Sequence, residues 1–481
     1  MKLPPLHLRD RWRSLWGNRR RRWLLIGGVT LGFVVMCYVG FGRTHATWTM
    51  PLQYPRSGQD ADPSAFTPAA TCGACHVQHY AEWLESGMGK SSELSYFLID
   101  LYQASLDIRG APPDDVAQCL HCHAPLAVMG PEPDLAMARD ISQEGVNCDV
   151  CHTAVEAHPN DAPGMIRWDP TGPKRGPLPG SEDATIFSGG DSGIDLGTPP
   201  AVSPFHKTAR SPLHESSDLC GACHMSLWPT NALPIDWTYA EWARSPWAAE
   251  GKTCQSCHMP TYEGSAAPQA PVRKNLHRHT FPGGGDVELV RSAAQLELEA
   301  QAHYAGHEVT VRVENVGAGH AFPTGNATAP VVFLELVALG ADGSEVFRDR
   351  RDYRLVYVDA DGDVTSDPSV AVRMLSDTTL QPREPRHERF FLAHRLGATR
   401  VEARLVYQRW SDDVVNNHAG LVREFVGRYL QQGFRVHRLI ANLDKLDPSK
   451  IARVRGMEAV EVDAATAELP PPPALPPGWS N

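Results

Sequence analysis

The chain has no excess of positive charge. Its 45 Lys and Arg stand against 56 Asp and Glu, a net charge of −11 over 481 residues. That balance argues against a nucleic-acid partner and for cationic partners or simple solubility. The deficit deepens along the chain, because residues 1–22 hold eight basic side chains against Asp10 alone, leaving −18 on the rest. Between residues 72 and 258 there is little strand-like alternation and no βαβ pattern. Cysteine is almost confined to five short clusters, Cys37 being the exception. What is plentiful is Pro and Gly, 40 of each, which implies loops held together by something other than helix packing.

The basic residues Arg19 to Arg22 precede Trp23–Gly42, an uncharged and mostly apolar stretch of the length that spans a bilayer. The positive-inside rule then puts everything after Arg43 outside the cytoplasm. A signal peptide cleaved near Thr44-His45-Ala46 would have the same consequence, but the apolar run is longer than a usual signal core and favours a retained anchor. Cys37 reads as an apolar filler within this segment.

The rest of the chain divides by composition. Residues 43–70, with Pro51, Pro55, Pro63 and Pro68, read as a linker, and 71–285 as a mostly α or irregular domain with helical pieces at Val77–Leu84 and Tyr239–Ala243. Residues 154–205 suggest a long Pro/Gly-rich loop. From 286 to 412, alternation at Glu308–Val316, Val331–Val337, Arg389–Ala393 and Val401–Val406 predicts an immunoglobulin-like β-sandwich. Residues 413–465 suggest a helical region, with a helix at Val414–Gln431, and 466–481 a mobile proline-rich tail. The expected fold class is therefore multi-domain: an N-terminal transmembrane helix, a cofactor-rich irregular domain and a C-terminal sandwich.

Ten cysteines fall in five Cys-x-x-Cys-His pentads: Cys72-Cys75-His76, Cys119-Cys122-His123, Cys148-Cys151-His152, Cys220-Cys223-His224 and Cys254-Cys257-His258. Chance would give about 0.01 such pentads in a chain of this composition. Two thiols at this spacing form thioethers to the vinyl groups of one haem, and the adjacent His becomes the proximal iron ligand. The expected cofactor is five covalently bound haems c. Zinc sites do not require His after each second Cys, thioredoxin-like motifs come singly, and disulfides within the pentads would be small strained rings. Cys72-Gly-Ala-Cys75-His76 is followed by Tyr80-Ala-Glu-Trp83, and Cys220-Gly-Ala-Cys223-His224 by Tyr239-Ala-Glu-Trp242. This predicts two dihaem modules with the Cys148 site inserted between them.

These runs, with Cys254-Gln-Ser-Cys257-His258-Met259-Pro260, His279-Thr-Phe281-Pro282-Gly283 and Gly319-His320-Ala-Phe322-Pro323-Thr324-Gly325, resemble the multihaem cytochromes c. The nearest type is the tetrahaem electron carrier of ammonia oxidisers and its relatives. The likeness covers roughly residues 70–325, and many members carry a β-sandwich beside the haems. It implies that His279 and His320 are distal ligands, each held before a rigid Phe-Pro turn. A further distal His is implied in the stretch before the fourth pentad, where His214 is favoured over His206. His277 is the spare for His279. Met88 stands where relatives often show His; it could ligate iron or pack in the core, leaving that iron open or served by His79. Met129, Met137 and His158 are weaker candidates for the middle haems, and His121 is badly placed to reach another iron.

The leading function is electron transfer between redox proteins on the periplasmic face of a bacterial inner membrane, with no catalytic residues assigned. The alternative is a multihaem oxidoreductase with one open iron acting on a small nitrogen or sulfur compound. The absence of Cys-x-x-Cys-Lys, which marks the active haem of pentahaem nitrite reductases, counts against it. A quinol dehydrogenase, or a docking subunit acting through its sandwich and tail, are further readings.

Overall fold

The computed structural model describes residues 61–92, 119–130, 134, 139–160, 165–178, 203–228, 231–326, 328–366, 370–414 and 459–474. The expected basic segment, the anchor at 23–42, most of the linker, the helix at 414–431 and Met137 lie outside them. Among the described residues no helix is long and apolar enough to cross a membrane.

The sandwich follows from alternation. We label its strands β1 (Ala294–Ala302), β2 (Gly306–Asn315), β3 (Val331–Gly340), β4 (Glu345–Tyr353), β5 (Arg386–Ala393), β6 (Ala398–Gln408) and β7 (Val460–Glu468). They form two sheets, ordered β5-β2-β1 and β4-β3-β6-β7, with every pairing antiparallel. Val309, Val311 and Val313 of β2 point inward, as do Val332, Leu334 and Leu336 of β3 and Val401, Ala403 and Leu405 of β6, and these side chains share one buried core. The polar partners Thr310, Arg312 and Glu314 alternate outward, as a period of two requires.

Two C-terminal expectations change. The helical region assigned to 413–465 ends in a strand, because β7 pairs with β6 from Tyr407↔Val460 to Arg400↔Glu468 and completes the four-stranded sheet. β6 offers an edge to which this segment hydrogen-bonds. The tail assigned to 466–481 is tied at its start, where His307 Nε2 lies 2.8 Å from Pro470 O.

The described residues between 61 and 285 form only short elements. The expected helical pieces are Val77–Glu85 and Thr238–Ala243. The region expected to loop from 154 contains a hairpin, Ala154–Ala157 with Ile166–Trp168, and a parallel pairing of Lys174–Gly176 with Thr208–Arg210. The two regions meet through specific contacts. Tyr357 Oη donates to Pro234 O (2.8 Å), and Asn231 Nδ2 donates to Ala371 O (2.7 Å). Phe322, two residues after His320, is buried in the sandwich core and stacks on Tyr407 with ring centres 5.5 Å apart. Burying such a side chain contributes about 1.5–3 kcal/mol, which fastens the loop carrying His320.

Candidate functional site

Each pentad is a helical turn. Residues Cys148–His152 and Cys254–His258 are short helices. The His76 N–H donates to Cys72 O and the His224 N–H to Cys220 O, both at 2.9 Å. Residues three apart in such a turn share a face, so both thiols point the same way with the imidazole beside them. None of the ten pentad cysteines is paired in a disulfide.

All fifteen pentad Cys and His residues line one cavity of about 2440 Å³. That exceeds the roughly 300–1,000 Å³ of a single small-molecule site, in an interior that otherwise tolerates few voids. The pentads adjoin in sets: the side chains of Cys72 and Cys148 are neighbours, as are those of Cys220 and Cys254, and Cys122 Sγ lies 3.9 Å from Cys223 O.

Backbone carbonyls fix the tautomer of three proximal imidazoles. His76 Nδ1 lies 2.9 Å from Ala266 O, His152 Nδ1 2.5 Å from Arg175 O, and His258 Nδ1 2.6 Å from Pro282 O. Such a bond fixes the tautomer and leaves Nε2 as the lone-pair nitrogen. His224 Nδ1 differs, lying 3.1 Å from the Asp236 carboxylate. Burial, with the neighbouring His224, pushes His123 down to about 4; burial alone does most of the same for His320, also to about 4. Burial and then His152 hold His279 and His214 near 3. Neutral imidazole is the form that binds a metal.

Second histidines lie opposite three of these rings. Ring centres are 6.3 Å apart for His76 and His206, 6.1 Å for His152 and His279, and 6.3 Å for His258 and His320. Two imidazoles on opposite sides of one iron, with metal–nitrogen bonds of about 2.0–2.1 Å, would have centres ~6.3 Å apart. The donor set, its spacing and the cavity therefore fit haem.

Among the remaining sequence candidates, His79 lies as near His76 as His206 does, with ring centres 6.2 Å apart. His214 stacks on His152 at 5.6 Å with Nε2 2.9 Å from Cys151 O, while its buried Nδ1 has no hydrogen-bond partner. His79 spends Nε2 on Tyr262 Oη (3.1 Å), and His277 Nδ1 lies 2.7 Å from Met259 O. Met88 and His121 line the cavity. Met129 is instead buried with Phe66, Leu126 and Val150, a core residue, and His158 pairs with Glu156 at a half-exposed position.

The geometry corrects the expected module boundaries. Trp83 Nε1 donates to Val146 O, two residues before Cys148, and Trp242 Nε1 donates to Lys252 O, two residues before Cys254, both at 2.8 Å. Glu82 Oε2 accepts the His279 backbone N–H (2.8 Å), and Glu241 Oε2 accepts the Ala321 N–H beside His320 (3.2 Å). Tyr80 and Tyr239 pack where a side chain at Gly73 or Gly221 would stand, a Cβ there meeting the ring at 2.6 or 2.3 Å. The Cys72 and Cys148 pentads thus form one module and the Cys220 and Cys254 pentads the other. The inserted site is Cys119–His123, not Cys148–His152. Sequence order misled because the inserted pentad interrupts the first module, so the pentad next after Tyr80–Trp83 is not its structural partner. Asp236 escaped sequence reading altogether: it stands alone in a hairpin with no motif around it.

A family model described as cytochrome c554 and c-prime matches residues 71–153. Among solved structures, the chain is similar to a penta-haem cytochrome c552 from Thermochromatium tepidum. The TM-score is 0.58 at 21% identity, covering 85% of this chain and 100% of that one. No curated protein matches.

Proposed function

We propose that this chain, a multihaem c-type cytochrome, is a membrane-anchored pentahaem electron carrier on the periplasmic side of a bacterial inner membrane. The observation that carries this reading is the single cavity lined by every pentad residue. Haem, when bound, supplies a one-electron iron couple.

The chain's own residues do the rest. The ten thiols would hold the groups covalently, and carbonyls at Ala266, Arg175 and Pro282 orient the proximal rings. His206, His279 and His320 would serve as second ligands to three of the irons. The adjoining thiols suggest an order of neighbours: the Cys72 site beside the Cys148 site, and the Cys119 site beside the Cys220 site, which also adjoins Cys254. The basic cluster and apolar run at residues 19–42 support anchoring and export, and the acidic remainder suits cationic redox partners.

One observation favours a second reading, a reductase or oxidase with an open iron. Among the described residues no histidine ring lies opposite His224 at the spacing seen for His76, His152 and His258. The test is the spin state of the haem-loaded protein, with carbon monoxide binding by its reduced form. All low-spin haem without an adduct supports the carrier. A high-spin fraction of one-fifth or more, about one open iron in five at the least, supports an oxidoreductase, with the Cys220–His224 site as its first candidate.

A further inference from the structure

The two modules share their Tyr, Trp and Glu contacts, and they differ behind one proximal histidine. His76 and His224 hold equivalent places, each following a Cys-Gly-Ala-Cys run and preceding a Tyr-Ala-Glu-Trp run. Behind His76 stands the neutral carbonyl of Ala266 (2.9 Å); behind His224 stands the carboxylate of Asp236 (3.1 Å). The other two described partners, Arg175 O and Pro282 O, are also carbonyls.

Asp236 is placed deliberately. It ends a short strand, Pro234–Asp236, pairing with Ser226. Its Oδ1 accepts the Thr238 N–H at 2.9 Å, which turns Oδ2 toward the imidazole. The strand is pinned by Tyr357, fully buried, whose hydroxyl donates to Pro234 O. The carboxylate is 17% exposed, and among the described residues its ion pair is with His224 and no Lys or Arg. Its charge is therefore neutralised neither by a Lys or Arg nor fully by water.

A carboxylate accepts the Nδ1–H more strongly than a carbonyl does. It draws that proton away from the ring, raises the basicity of the ligating nitrogen, and so stabilises ferric over ferrous iron. We infer that Asp236 is a positioning residue that sets the haem of Cys220-Cys223-His224 at a lower reduction potential than its counterpart at Cys72-Cys75-His76. The Cys220–His224 site adjoins both the Cys119 and the Cys254 sites.

The inference rests on both pentads carrying haem, and the experiment separates the two. Intact mass of the full chain counts the covalent haems in the wild type and in Asp236→Asn and Asp236→Glu. Optically monitored redox titration and low-temperature paramagnetic resonance then follow the same samples. With five haems present, Asp236→Asn is expected to raise one component's reduction equilibrium at least tenfold, about 59 mV for one electron. The low-spin g-values of that haem move with it. Asp236→Glu, which keeps the charge, leaves the component within threefold of wild type. Unchanged titrations in a five-haem Asp236→Asn protein would overturn the inference, as would equal shifts in both variants. A wild-type mass one haem short would overturn the haem assignment instead.

Discussion

The Glu82 carboxylate accepts the backbone N–H of His279 at 2.8 Å, across 197 residues of sequence. It also pairs with Arg278 at 2.6 Å. The glutamate of a helix that follows one haem pentad thus holds the loop carrying a candidate ligand for another. In the second module Glu241 does the same for the loop of His320, through Ala321 and Thr324, but Gly319 stands where the first module has Arg278.

Removing the Glu82 contact should therefore loosen one ligand without removing it. Glu82→Ala leaves the His279 N–H and Arg278 without their partner, a loss of about 1–3 kcal/mol for a buried hydrogen-bonding group. The expected result is a pH-independent, partial rise of high-spin signal amounting to less than one haem. Unaltered spectra would show that Phe281-Pro282 alone fixes the loop.

Replacing the second ligands themselves gives a sharper count. His279→Ala, His320→Ala and His206→Ala should each open one iron, so each reduced variant binds one more equivalent of carbon monoxide than wild type. The double variant His279→Ala/His320→Ala should bind two more, since the rings face different partners, His152 and His258. Additivity holds for sites without shared contacts. No added binding by His279→Ala would return the place opposite His152 to His214.

How far the sequence reached is set by which signals are local. Pentads are local, because a thioether site needs its two thiols and its histidine on one helical turn, and all five were legible. The sandwich was legible where Val309, Val311 and Val313 alternate with polar residues. It was not at β7, whose strand state comes from hydrogen bonds to β6 far away in sequence. Module membership depended on Trp83 reaching Val146 and Trp242 reaching Lys252. The repeated Trp was visible, but its acceptor was not. The difference between His206 and His214 is a matter of where each ring ends up, which spacing to Cys220 does not encode.

Lys174 and Asp149 supply a stability prediction. Asp149 lies inside the third pentad with its side chain 2% exposed, and Lys174 Nζ meets it at 2.7 Å. The same carboxylate accepts the Thr67 N–H. Lys174→Met strands a buried carboxylate, so a loss of about 3–5 kcal/mol is expected. Asp149→Asn, which removes the charge as well, should cost less. Denaturant unfolding of the two variants at one haem stoichiometry measures the difference, and equal losses would mean the pair acts through shape alone.

Glu241 gives the pH prediction. Burial pushes its carboxyl up to about 7 from the ordinary 4.5, Asp236 and Asp377 adding to the rise and Thr324 and Ala321 opposing it. Between those two values the folded chain binds the proton that the unfolded chain has released, so this group's contribution to stability falls as pH rises. The contribution is fully present below about pH 4.5 and lost as pH passes 7. Glu241→Gln keeps the acceptor for Ala321 and Thr324 but never ionises. It should match wild type near pH 4.5 and exceed it above pH 7. The excess should be on the order of 2 kcal/mol, since each tenfold change in proton affinity is worth about 1.4 kcal/mol and the side chain is only partly shielded. Thermal unfolding of both proteins across that range reads the effect. Glu82 is the internal control, because the His279 N–H and Arg278 hold its carboxyl below the usual range despite its burial. Glu82→Gln should therefore destabilise at pH 8, the opposite sign from Glu241→Gln, and like signs would show that the missing arginine is not what separates the two modules.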